Sequence, residues 1–128
     1  MSIESELLTR LKADGALAAL VVARIYPGLL PQKPTFPAVS YRRVSGVRVH
    51  NLDGASGRAT PRFQFDSWAE TKSGVLALAT AVREALNGYI GVLTTLNVVI
   101  RIENEFDDYD EEIRKHRVIQ DFIISHTE

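Results

Sequence analysis

The stretch Arg62-Phe63-Gln64-Phe65-Asp66-Ser67-Trp68 puts Phe63 and Phe65 on one side of an extended chain and Arg62, Gln64 and Asp66 on the other. Successive side chains of a strand point to opposite faces, so this alternation describes a strand with one face in a core and one toward water. The same period recurs three times. Ala38 to His50 sets Val39, Tyr41, Val47 and Val49 against Ser40, Arg42 and Arg48; Asn97 to Phe106 sets Val98, Ile100, Ile102 and Phe106 against Arg101, Glu103 and Glu105. Between Lys115 and His126, Val118, Phe122 and Ile124 take one face and Ile119 and Ile123 the other, as in a central strand or one that meets a partner.

Helical spacing separates these pairs. Ile3, Leu7, Leu8 and Leu11 share a face over residues 2–13, with Glu4 and Glu6 in the first turn and Asp14-Gly15 as a stop. Residues 16–20 add a short further helical turn, and Arg24-Ile25-Tyr26 is strand-like. Val75, Leu78, Ala79, Val82 and Leu86 form the apolar stripe of a helix over 71–87, capped by Thr71 or Ser73 and stopped by Asn87-Gly88. Residues 51–57 are turn formers and join the first two strands into a long β-hairpin. The expected fold is α+β, one domain over 1–128: an antiparallel sheet of about four strands, two main helices packed on one face, and the hairpin protruding.

With 45% hydrophobic residues in 128, the chain can build one core, and with no cysteine it does so without disulfides or thiolate metal sites. A net charge of -1 is no general signature of nucleic-acid binding. The N-terminus has neither the basic nor the apolar region of a signal peptide, and the longest mostly apolar run, Ala16 to Ala23, is far short of the about 20 residues that span a bilayer. The expectation is a soluble protein made in the cytoplasm, with no membrane partner.

Pro27, Pro31, Pro34 and Pro37 make residues 26–37 an extended connector, either an arm reaching a neighbour or a surface crossover. Several stretches together resemble a known family. They are Arg24-Ile25-Tyr26-Pro27, Pro31-Gln32, Phe36-Pro37-Ala38-Val39, then Arg62 to Ala69 running into an Ala-rich helix, and finally the Tyr109 loop with His116-Arg117 and Gln120-Asp121-Phe122. Their order and spacing are similar to those of the tail-completion, or tail-terminator, proteins of phages and prophages. The resemblance covers nearly the whole chain. It implies a structural virion protein of the tail or neck, assembled in the host cytoplasm. Such a subunit forms a homo-oligomer, a hexameric ring, that caps the tail tube protein and joins it to the head-neck connector protein around the DNA channel. The resemblance transfers no catalytic motif.

No motif argues for chemistry. Read as a calcium loop, Asp108 onward puts Ile113 where glycine and Ile119 where glutamate belong. His50, His116 and His126 form no metal-ligand pattern and read as loop or strand-end surface residues; Ser56 lacks the spacing of a nucleophile elbow. The expectation is no catalytic residue, no metal and no cofactor. Trp68, at a strand-to-helix junction, is expected to pack beneath the helix.

Charge is the remaining signal. From Ala38 to Arg62 the hairpin carries Arg42, Arg43, Arg48, Arg58 and Arg62 against Asp53 alone, whereas Glu103 to Glu112 carries seven acids and no base. Opposite regions on one small domain can pair head to tail between subunits, and such contacts close into rings when the rotation fits. They can equally be matched within the chain. The interface candidates are Arg48, Asp53 and Arg58 in the hairpin and Asp107, Asp108 and Asp110 in the acidic loop. The arginines could also lie near channel DNA, non-specifically. The rival readings are another neck, connector or tail-tube subunit and, outside that class, a small ligand-binding module.

Overall fold

The computed structural model describes residues 3–21, 24–28, 30–32, 34–45, 48–51, 54–93 and 96–127. Among these residues it is α+β, with three helices and one eight-stranded sheet. The helices are α1 (Ile3–Ala13), α2 (Gly15–Val21) and α3 (Lys72–Leu86). The strands are β1 (Ile25–Pro27), β2 (Ala38–Ser45), β3 (Arg48–Asn51), β4 (Gly54–Ala59), β5 (Arg62–Ala69), β6 (Ile90–Leu93), β7 (Leu96–Asp110) and β8 (Lys115–Thr127).

The expected four strands are β2, β5, β7 and β8, and the remaining four correct that count. β1 pairs parallel to β2, so the sheet is mixed rather than purely antiparallel. The end of the first expected strand and the turn-rich segment after it form a small hairpin of their own, β3–β4, and the glycines and small residues of β4 carry no alternation to read. β6 is a four-residue strand that pairs with the start of β7. β4 and β5 lie end to end along β8: Ala59 faces His126 and Arg62 faces Ile123, with Pro61 accepting a hydrogen bond from the Ile124 N–H between them. Proline cannot donate to a ladder, which is why the two strands break there. Beyond Arg58 the β3–β4 hairpin runs past the end of β8, as the protruding hairpin of the sequence reading requires.

One face of the sheet holds the core. Val39, Tyr41, Phe63, Phe65, Phe122, Ile124, Val98 and Ile100 are buried there against Leu78, Val82 and Leu86 of α3 and Leu7, Leu11, Leu17 and Val21 of α1 and α2. Tyr41 stacks on Phe65 with centroids 5.6 Å apart, and Phe65 meets Phe122 edge-on at 5.5 Å. Burial of this kind contributes about 25 cal/mol per Å² and is the main reason the helices sit on that face.

Local chemistry sets the helix ends. The Asp14 N–H donates to Leu11, while its side chain accepts from the Leu17 N–H and its carbonyl from the Ala18 N–H. One residue thus closes α1 and caps α2. Thr71 Oγ1 accepts from the Gly74 N–H at 3.0 Å, capping α3. Gly88, at φ +79°, turns the chain out of α3 in a conformation that favours glycine. The exit then docks on β7, with the Gly88 N–H on Ile100 O and Asn87 Oδ1 accepting from the Ile102 N–H.

Trp68 corrects one expectation. It is buried, but it shares parity with Gln64 and Asp66 and so lies on the face away from the helices. There its indole N–H donates to Ser40 Oγ at 3.3 Å, and the Arg117 guanidinium covers its ring at 4.9 Å. His126, expected on the surface, is buried on β8, and His50 lies in β3 rather than a loop.

Candidate assembly surfaces

The acidic segment is mostly strand rather than loop. Residues 103–110 continue β7 opposite β8, and the turn proper is 111–114. A bulge between Ile102 and Asn104 resets the pleat. After it, Glu105 and Asp107 face the helix side and Phe106 and Asp108 the other.

Most of these carboxylates have partners within the chain. Arg83 of α3 donates from one terminal nitrogen to both oxygens of Glu105, at 3.1 and 3.2 Å, and Lys72 at the start of α3 pairs with Asp107. Gln120, fully buried, donates to Ala79 O of α3 and to Glu105 at 2.7 Å. Arg101 pairs with Glu103 at 3.0 Å. Asp108 lies 3.9 Å from Arg117, whose other terminal nitrogen donates to Asp66 at 3.0 Å. Among the described residues the counter-charges are therefore on α3, β7 and β8.

Asp110 has a different job. Its Oδ1 accepts from the Glu112 and Ile113 N–H groups, and Arg114 takes φ +55°, so the turn is closed by its own polar atoms. Asp107 and Asp108 remain about half exposed, at 49% and 52%. Phe106, Tyr109 and Ile113 are exposed on the same arm, and Tyr109 stacks edge-on with His116.

On the basic side, Arg48 opens β3 opposite Ala59, and Arg58 lies in β4 opposite Val49 and Thr127. Asp53 lies outside the described residues. Arg42 and Arg43 are exposed on β2, and Arg62 approaches Asp121 at 3.9 Å. The structure does not bring the six sequence-chosen residues together. The hairpin projects beyond one end of β8 and the acidic turn beyond the other, so contact between them requires two subunits.

The proline-rich connector returns to its own domain. Arg24 Nε donates to Pro37 O at 2.9 Å, and Leu30 lines a cleft with Trp68. That cleft, about 440 Å³ on the helix-free face, includes Arg42, Gln64, Asp66 and Arg117. Among the described residues no three His, Cys, Asp or Glu side chains converge as a metal site would need.

The sequence profile of the family described as Tail completion protein gp17 matches residues 5–127. The chain belongs to the tail completion protein family. As a tail completion protein it is a structural component of a phage-type virion tail or neck. Its fold is also that of a chain in a solved structure described as the virion of native gene transfer agent particle, with a TM-score of 0.84 at 22% identity. The overlap covers 99% of this chain and 96% of that one, and at this identity the likeness is one of fold. No curated protein matches the sequence. The tail completion protein thus uses Glu105, Asp107 and Asp108 of its acidic segment to fix β7 to α3 and β8. Lys72, Arg83 and Arg117, which do the fixing, were missed in the sequence because helix-to-strand distance is invisible in a one-dimensional pattern. The one available hint was that Lys72 and Arg83 lie eleven residues apart, on one side of a helix.

Proposed function

We propose that this protein caps the tail tube and joins it to the head-neck connector as a closed ring, a hexamer, and that it is not an enzyme. The observation that carries the reading is the family match across residues 5–127. The similarly folded gene transfer agent chain belongs to a virion, which supports the same setting.

In this reading the mechanism is geometric. The core on the helix side makes the subunit stiff. The β3–β4 hairpin, with Arg48, Asp53 and Arg58, reaches the acidic arm of the next subunit, where Asp107, Asp108 and Asp110 lie. Asp107 and Asp108 already have intramolecular partners, so they contribute through a shared network around Lys72 and Arg117 rather than a new isolated pair. The ring then presents one face to the tube and the other to the neck, with arginines near the channel.

The direct test adds the purified protein to tail tubes that lack it. Density closing one end of each tube, with loss of further tube growth, is the expected result. Tubes that stay open and keep growing would sink the capping role.

A further inference from the structure

The cleft on the helix-free face has polar groups that do not balance. Asp66, its one lining carboxylate, already accepts from Gln64 at Oδ1 and from Arg117 at Oδ2. Trp68 already donates to Ser40. Arg42 is exposed at the cleft and makes no hydrogen bond or ion pair among the described residues, and Arg117 Nε is buried without a partner. Arg117 is shared between Asp66 and, just outside the lining, Asp108 at 3.9 Å, so the positive charge left without a counter-charge among the described residues is that of Arg42, beside the apolar surface of Leu30 and Trp68. Such a lining suits a carboxylate next to an apolar side chain.

The chain presents that combination at the tip of its β7–β8 arm. Glu111, Glu112 and Ile113 are all exposed there, and the two glutamate carboxylates form no bond among the described residues. The tip is preformed, because Asp110 accepts from the N–H groups of Glu112 and Ile113. It also overhangs the sheet: β5 ends at Ala69 opposite His116, so beyond that level the arm is two strands wide. No bond joins the tip to its own cleft among the described residues, and β8, which starts at Lys115, carries Arg117 away from the turn.

We infer that the cleft around Arg42, Trp68 and Arg117 receives the Glu111-Glu112-Ile113 tip of a second copy of this chain, with the glutamates on the guanidiniums and Ile113 against Leu30 and Trp68. This rests on the ring reading and adds to the hairpin contact a second one, made by the tip of the same acidic arm. Tip and cleft are different patches, so the contact is head-to-tail, and its repetition closes a ring when the rotation fits.

The chain has no cysteine, so an introduced pair reports this contact alone. The variant Arg42→Cys/Glu112→Cys, oxidised and run on a non-reducing gel, is expected to give a ladder rising to the ring size. Each single-cysteine variant can give dimers at most. Arg42→Glu is expected to raise the assembly midpoint concentration about tenfold, and adding Glu112→Arg in the same chain to restore it. All these positions are exposed, and circular dichroism melting verifies that the variants fold. Rings seen by light scattering without a ladder, from either this pair or Arg42→Cys/Glu111→Cys, would overturn the inference and leave the ring standing. Monomers without a ladder, both free and on tail tubes, would overturn the contact and the ring together.

Discussion

Single side chains decide how the two faces of the sheet differ. Phe63 and Phe65 are buried against helices, but their neighbour Trp68 is buried under an arginine on the opposite face. Parity along β5 requires this, and the expectation of a tryptophan beneath the helix ignored it. Trp68→Ala should cost about 3–5 kcal/mol of unfolding free energy, as large-to-small changes at buried aromatics do, whereas Trp68→Phe should cost less by keeping most of the packing. Urea unfolding of both variants checks this; an alanine variant within about 1 kcal/mol of the parent would mean that the ring contributes little. Thr71→Ala should cost about 1 kcal/mol through loss of the cap on α3, measured the same way. Serine at position 71 should recover most of it, because the contribution is the hydroxyl's.

Among elements, legibility followed amphipathic contrast. β5, α3 and the central parts of β2, β7 and β8 alternate or repeat strongly, and their bounds were found to within a few residues. β3 was read as the end of one strand over residues 38–50, while β4 and β6 were not found: Gly54, Gly57 and the small residues of β4 leave no apolar face to read, and the four residues of β6 are too few to show a period. β7 runs on through Asp107 to Asp110 because α3 and β8 supply its counter-charges, a tertiary effect that overrides the turn propensity of aspartate. Of the candidate site, the charge contrast was legible, but its pairing was not. The exposed pairs Lys72–Asp107 and Arg83–Glu105 should contribute little: Lys72→Ala and Arg83→Ala are each expected to change stability by less than about 1 kcal/mol. Arg117→Ala should cost more, about 1–3 kcal/mol, because it leaves the mostly buried Asp66 without its strongest donor. Thermal melts of the three variants test the ranking, and equal losses would contradict it.

At the scale of the whole molecule, a stiff helix-backed sheet carries two oppositely charged projections at its ends, one basic and one acidic. In the proposed ring a subunit of that shape would join copies head to tail, and exposed charges would make the joint sensitive to ionic strength. Assembly should therefore weaken as salt rises from about 0.05 to 1 M, where the screening length falls toward 3 Å, while the melting temperature of the subunit changes little. Assembly indifferent to salt would remove the electrostatic part of the account and leave only apolar contacts such as that of Ile113. The most direct test of the central claim is the mass of the purified protein by light scattering across concentration, with electron micrographs of the same samples. The account predicts a step to one closed multiple of the 14.2 kDa chain, six being the expected number, seen as rings with a central hole. A species that stays monomeric at every concentration and never gathers on a tail tube would contradict it.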